Sequence, residues 1–254
     1  MRPFAAILVL VFEKRSTQLE RIDTGDYTFE EYATFLREIR FINRYLGDAR
    51  ALSRSVLRDI KENNLREFSV LDVACGSGEL LRRVAEFARR SKRTARLAGI
   101  DLNELSFSTA SGAEAAMFPE IDYVRGDAFR LPFADGAFDY AISSLFFHHL
   151  TDEQIPRVLK EMERVARRGV FVIDLNRHPA AYYLYKLFCF AFRISPLVAQ
   201  DGALSVLRGF RPDELRKLSN ESATRVTRVA PFRVVMEGSG VGDLGFDEQL
   251  EESK

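Results

Sequence analysis

Val70-Leu-Asp-Val-Ala-Cys-Gly-Ser-Gly78, running straight into Glu79-Leu-Leu-Arg-Arg-Val-Ala-Glu-Phe-Ala-Arg89, decides the fold of this 254-residue chain. The run from Ser69 to Ala74 is too short and too β-branched for a helix, and reads as a buried parallel strand. Beyond the glycines, Leu80, Leu81, Val84, Ala85 and Ala88 recur on one helical stripe. Strand, glycine turn and helix make a nucleotide-type binding corner, in which Gly76 and Gly78 let a ligand lie against bare backbone. A dinucleotide fingerprint would place a third glycine at position 81, where Leu81 stands, so an NAD-dependent oxidoreductase is disfavoured. Asp72, four residues ahead of Gly76, supplies acceptors better suited to an amino group than to a pyrophosphate.

A hydrophobic strand followed by Asp-x-x-x-Gly-x-Gly resembles the first motif of class I S-adenosylmethionine (SAM)-dependent methyltransferases. Two later stretches extend the resemblance over roughly Phe68 to Glu237. Ala95 to Asp101 is a second strand ending in a carboxylate, suited to accept from both hydroxyls of a ribose. Leu131-Pro-Phe-Ala-Asp-Gly-Ala-Phe-Asp139 matches the family's L-P-F-x-D-x-x-F-D bridge. The resemblance implies an α/β, Rossmann-like fold, with a seven-stranded, mostly parallel sheet between helices and an N-terminal helical cover. It implies SAM as cofactor, with Asp127 at the adenine amino group and the Ala128 backbone at a ring nitrogen. The expected cofactor contacts are Asp72, Ala74, Gly76, Gly78, Asp101, Leu102, Asp127, Ala128, Ser143 and Arg44.

Composition frames the same picture. Hydrophobic residues make up 46% and charged residues 29%, with zero formal net charge. No global field recruits nucleic acid, and no basic stripe or Asn-Pro-Pro-Tyr/Phe-type motif supports nucleic-acid methylation. Cys75 and Cys189 carry no metal or disulfide spacing and suit a reducing cytoplasm. The apolar run Phe4 to Phe12 is too short to span a bilayer and lacks a convincing cleavage site, so a packed N-terminal segment or an extended start of the coding frame is expected, with a membrane-surface contact as the minority reading.

Helices are expected from Asp26 to a stop at Gly47 and from Ala49 to Asn63, the first carrying Arg40, Asn43 and Arg44 on its polar side. After the corner, an Ala- and Ser-rich helix runs to Met117. Strands follow at Ile121–Arg125, Tyr140–Ser144 and Gly169–Leu175, and a final pair lies at Thr224–Ala230 and Phe232–Glu237. Pro196 ends an aromatic helix, and Asp201-Gly202 reads as a turn. The expected organisation is a helical cover at 1–66, a SAM-binding domain at 67–238 with an aromatic insertion at 179–210, and a mobile tail at 239–254.

Ligands in open α/β sheets sit beyond the carboxyl ends of the strands, where His148, His149 and His178 all map. Imidazole suits removal of a hydroxyl proton near neutrality, so His149, then His148 and His178, are the candidate bases. A metal site from these three is not expected. Ala180 to Phe192 is apolar or aromatic nearly all round and must be covered by core, lipid or substrate. A lid over a hydrophobic acceptor is the favoured role, with Phe147, Tyr182 and Tyr185 as acceptor contacts. The expected function is methyl transfer to a small aromatic or lipid-like acceptor, O-methylation ahead of C-methylation on a quinone or polyketide ring. The competing class is a SAM- or nucleotide-binding protein without catalysis. The expected location is cytoplasmic, with a transient membrane contact as the alternative.

Overall fold

The structure, a computed structural model, describes residues 11–45, 48–219 and 223–241. Among them seven strands form one sheet: β1 (Glu67–Val73), β2 (Thr94–Asp101), β3 (Ile121–Arg125), β4 (Phe138–Ser144), β5 (Ala166–Leu175), β6 (Ala223–Val229) and β7 (Arg233–Ser239). Their order is β3-β2-β1-β4-β5-β7-β6. Only β7 runs antiparallel to its neighbours. Helices α1 (Arg21–Thr24), α2 (Phe29–Tyr45), α3 (Asp48–Ser53) and α4 (Val56–Glu62) precede the sheet. The others are α5 (Glu79–Arg90), α6 (Glu104–Ala110), α7 (Gln154–Val165), α8 (Pro179–Phe192), α9 (Pro196–Arg208) and α10 (Pro212–Leu218).

The strands read as continuous apolar runs because both faces of the sheet are covered. On one face Val70 and Ile142 pack with Leu81, Val84 and Ala85 of α5 and with Val56 and Ile60 of α4. On the other, Leu71 and Val73 pack with Ile155, Val158, Leu159 and Met162 of α7. Adjacent residues of β1 therefore serve opposite cores, as a period-two strand requires. A third cluster joins Ile42 of α2, Tyr185 and Cys189 of α8, and Val198 and Ala203 of α9.

Both glycines of the binding corner have a left-handed backbone, with φ 53° at Gly76 and 74° at Gly78. Their surroundings differ. A Cβ on Gly76 would meet nothing within 4 Å, whereas one on Gly78 would stand 2.3 Å from the Tyr123 hydroxyl. Gly76 thus leaves open backbone for a ligand, and Gly78 lets α5 start hard against β3.

Several elements depart from expectation. The helix expected from Ala49 to Asn63 breaks at Ser55, whose hydroxyl bonds the Ala51 and Leu52 carbonyls at 2.8 and 3.2 Å and competes with the helix ladder. The Ala/Ser-rich helix ends at Ala110 and resumes only as a 3₁₀ turn, Ala113–Met117. Strand β5 starts three residues early, with Ala166 paired to Phe138. Asp201-Gly202, expected as a turn, lies inside α9. Its carboxylate accepts from the Arg21 and Ile22 amides at 3.0 Å, and a Cβ on Gly202 would stand 2.0 Å from the Tyr185 hydroxyl. The dipeptide therefore serves helix packing and the capping of α1, where its composition suggested chain reversal. Gly47, the run from Phe4 to Leu10 and most of the expected tail lie outside the described residues.

Candidate active site

Beyond the carboxyl ends of β1, β2 and β4 lies a cleft of about 790 Å³. Asp72, Ala74, Gly76, Asp101, Leu102, Asp127 and Ala128 all line it, so seven of the ten expected cofactor residues meet in one place. Of the other three, Ser143 and Gly78 do not line it. Ser143 is fully buried with its hydroxyl on the Val73 carbonyl at 2.8 Å, and Ser144 faces the cleft in its stead. Gly78 faces Tyr123. The Arg44 side chain lies outside the described residues, and Arg83 is the arginine lining the cleft among them. The cover comes from α2, through Tyr32, Phe35, Leu36, Ile39 and Asn43. Tyr32 is latched to Ser106 of α6 by a hydroxyl–hydroxyl bond of 2.7 Å.

Two non-glycine residues at this rim have left-handed backbones, Ala74 at φ 60° and Leu145 at φ 54°. Such strain collects where a binding site constrains the chain. Asp101 accepts from the Gly76 amide at 2.8 Å and the Asn103 amide at 2.9 Å, tying the end of β2 to the glycine loop. Burial pushes the Asp101 carboxyl up. Burial, with the nearby Asp101 charge, pushes Asp72 up well above the usual carboxylate range. Two destabilised carboxylates beside bare Gly76 backbone fit a ligand bringing positive charge and hydroxyl or amino donors, the chemistry of SAM.

The cleft continues into a second cavity of about 350 Å³ beneath α8 and α9. Phe35, Ile39, Asn43, Leu145 and His149 line both. The inner chamber is walled mainly by apolar side chains, including Ile42, Leu184, Phe188 and Val206, and His148 and Glu20 add polar groups. His149 stands at the junction with Nδ1 on Asp23 Oδ1 at 2.7 Å. Burial alone would raise the Asp23 carboxyl, but the His149 hydrogen bond and charge, and Arg208, hold it at about 2. When the imidazole is neutral, an ionised Asp23 at Nδ1 keeps the proton on that nitrogen and leaves the lone pair on Nε2. His148 is buried, with Nδ1 on Asp174 Oδ1 at 2.7 Å and its backbone amide on Asp174 Oδ2 at 3.1 Å. Burial opposes ionisation of Asp174, yet His148 holds its pKa below the ordinary value.

A buried arginine organises both histidines. Arg208 of α9 donates through Nε to the His148 carbonyl and through Nη2 to the His149 carbonyl, each at 2.9 Å, and through Nη1 to Asp23 at 2.6 Å. Glu20, only 2% exposed, takes the Ser205 hydroxyl on Oε2 at 2.9 Å. Its Oε1 is buried without a hydrogen-bond partner. Burial raises the Glu20 carboxyl to about 7, against the downward pull of His149, Ser205 and Arg208. Glu20, His148 and His149 each offer a ligand atom within 4.8 Å of the others. A cation already stands there, since Arg208 Nε is 3.7 Å from Glu20 Oε1. Glu20, Asp23 and Arg208 were invisible in the sequence as site residues. They lie more than 50 residues from the histidines, and the short capping pattern of Glu20 and Asp23 around α1 is their only local signal.

Three expected residues, His178, Phe147 and Tyr182, fall elsewhere. His178 caps α8, accepting the Ala180 amide on Nδ1 at 3.1 Å, and stacks on Phe232 at 5.7 Å. It lines neither cavity among the described residues. Phe147 is fully buried in the α7-side core, and Phe146 lines the cleft. Tyr182 packs edge-on against Phe12 at 5.7 Å and lines a separate outer groove. Tyr185 does line the chamber, with its hydroxyl committed to the Val198 carbonyl at 2.7 Å and its pKa raised by burial.

The family described as "Methyltransferase domain" matches residues 70–169, from β1 through the start of β5. Residues 70–169 are a class I methyltransferase domain. Its cofactor is SAM. Among curated proteins, the chain is 34% identical over 110 residues to "2-phytyl-1,4-naphtoquinone methyltransferase" of Trichormus variabilis, covering 42% of this chain and 46% of that protein. It is 32% identical over 143 residues to "Ubiquinone/menaquinone biosynthesis C-methyltransferase UbiE" of Klebsiella pneumoniae, covering 53% and 55%. The chain thus spans about half the length of the curated relatives it matches. The magnesium protoporphyrin IX methyltransferase (ChlM) of Synechocystis PCC 6803, solved with bound SAH, superposes over 94% of this chain and 95% of its own. The TM-score is 0.54 and the identity 14%, a likeness of fold. The methyltransferase domain therefore carries the floor of the cleft, while α2, α8 and α9 outside the match build most of the chamber.

Proposed function

We propose that this chain methylates a hydrophobic aromatic acceptor of hydroquinone type, with His149 as the base. The observation that carries this is the position of His149, at the junction of a SAM-type cleft with an apolar chamber, Nδ1 held by Asp23. When bound, SAM supplies an electrophilic methyl group on a sulfonium. Asp101 would take the ribose hydroxyls, Asp127 and the Ala128 amide the adenine edge, and Asp72 the amino group. The apolar walls would hold the ring, excluding water and orienting it, an effect that can supply on the order of 7–11 kcal/mol of a barrier. His149 Nε2 takes the hydroxyl proton, and Asp23 stabilises the imidazolium that results. His148 holds the loop through Asp174 rather than touching the reacting atoms.

Deprotonating a hydroquinone raises electron density at both oxygen and ring carbon, so one base starts either outcome; on the carbon path the ring carbon's own proton leaves after the C–C bond has formed, its electron pair restoring the aromatic ring as the oxygen regains a proton. We favour carbon. The two relatives named above carry quinone-methyltransferase names, one of them a C-methyltransferase, and these names lend the sequence-based preference for oxygen no support. The test is incubation of the protein with SAM and an alkylated naphthohydroquinone, with the product examined by mass spectrometry and proton NMR. A ring-methyl signal is expected. A methoxy signal would move the reading to oxygen, and SAM binding with no transfer to any hydroxylated ring would leave only the non-catalytic class.

A further inference from the structure

Helix α8 has two faces with different fates. Ala181, Tyr185 and Cys189 are buried against α2 and α9. Away from that buried face stand Tyr183, Leu187 and Phe190, with Leu184 at its edge and Phe192 in the last turn of the helix, all five exposed, Phe190 at 83% and Leu187 at 61%. Phe41 of α2, 37% exposed, extends the patch by packing on Phe188 and Phe192 at 6.0 and 5.6 Å. Scattered apolar residues need no explanation, but five on one 14-residue helix do.

The charges on α8 itself are of one sign. No carboxylate occurs between Pro179 and Arg193, where Lys186 and Arg193 are the ionisable side chains besides the tyrosines and Cys189. Arg37, one turn before Phe41 on α2, is exposed as well. The nearest acid on that stretch of α2, Glu38, is occupied by the Ser195 amide and hydroxyl, the latter at 2.6 Å. Bulky apolar tips with flanking cations complement a layer that is apolar within and anionic at its surface. No helix among the described residues is long and apolar enough to cross a membrane.

We propose that the outer face of α8, with Phe41, docks on an anionic lipid bilayer, Leu187 and Phe190 entering the interface and Lys186, Arg193 and Arg37 meeting the headgroups. Leu184 and Phe188 also wall the inner chamber. A lipophilic acceptor dissolved in the bilayer therefore has only the thickness of α8 between it and the chamber. The docking surface rests on exposure and charge alone, and stands whatever the acceptor proves to be.

Co-sedimentation of the full-length protein with phosphatidylcholine vesicles, with and without phosphatidylglycerol, tests it. The expected result is binding that is stronger with phosphatidylglycerol and weakened by salt. Phe190→Glu and Leu187→Glu should each lower the partition coefficient by about tenfold or more. Lys186→Glu should remove most of the preference for the anionic lipid. Both apolar positions are exposed, so SAM affinity and melting temperature should stay at wild-type values and report an intact fold. Absence of vesicle binding, or binding that ignores all three substitutions, overturns the proposal. So does light scattering that shows a dimer dissociated by Phe190→Glu, because the patch would then belong to a second copy of the chain.

Discussion

Replacing Glu20 by Gln should stabilise the protein in alkaline solution and leave it unchanged in acid. Glu20 sits 2% exposed beneath the histidine loop, and burial raises its carboxyl from the ordinary 4.5 to about 7. Between those values the folded state holds a proton that the unfolded chain has lost, so stability falls as pH rises through the window. At about 1.4 kcal/mol per pH unit, the displacement amounts to about 3 kcal/mol by pH 8. Gln has nearly the same shape, can keep the bond to the Ser205 hydroxyl, and carries no charge to desolvate. The variant should match wild type within about 0.5 kcal/mol at pH 5 and exceed it by roughly 2–3 kcal/mol at pH 8. Urea unfolding followed by circular dichroism at pH 5, 6, 7 and 8 gives the difference directly. A difference that stays flat with pH would mean that Glu20 is not the buried acid described here. A Gln variant less stable at pH 8 would mean that the pair with Arg208 outweighs the burial.

His149→Ala should lower turnover by about 10²–10⁴-fold with SAM affinity kept; Asp23→Asn should do so less severely, and a rate indifferent to both would remove the base. Asp101→Ala should weaken SAM binding by about 1.5–3 kcal/mol in calorimetry, and unchanged affinity would move the ribose elsewhere. Gly78→Ala forces a Cβ to 2.3 Å from the Tyr123 hydroxyl at φ 74° and should cost at least about 1–2 kcal/mol of stability, read from the urea midpoint. Phe188→Ala should raise the acceptor KM, whereas Tyr182→Ala, on the outer groove, should not; the reverse pattern would displace the acceptor from the inner chamber.

The cofactor half of this protein was legible in the chain itself, because its logic is local. A strand buried on both faces must be an unbroken apolar run, and a backbone that approaches a ligand must be glycine. An acid that ends a strand stands next to both. Asp72, Gly76, Asp101 and Asp127 each carry such a signal within ten residues of sequence, and the structure gathers them in one cleft. The acceptor half has no comparable signature. Three histidines looked equivalent at the sheet rim, and only the packing of α1 and α9 separated them. His149 meets Asp23 from 126 positions away, His148 meets Asp174, and His178 is spent capping a helix. The aromatic run of α8 announced that something covers it, but helical periodicity cannot say which face, since nearly every position is apolar. Burial against α2 and α9 divided that helix into a chamber wall and an exposed face. Contacts that long-range folding creates, such as Arg208 on two carbonyls far from it in sequence, leave no pattern in the chain, because backbone carbonyls look the same at every residue.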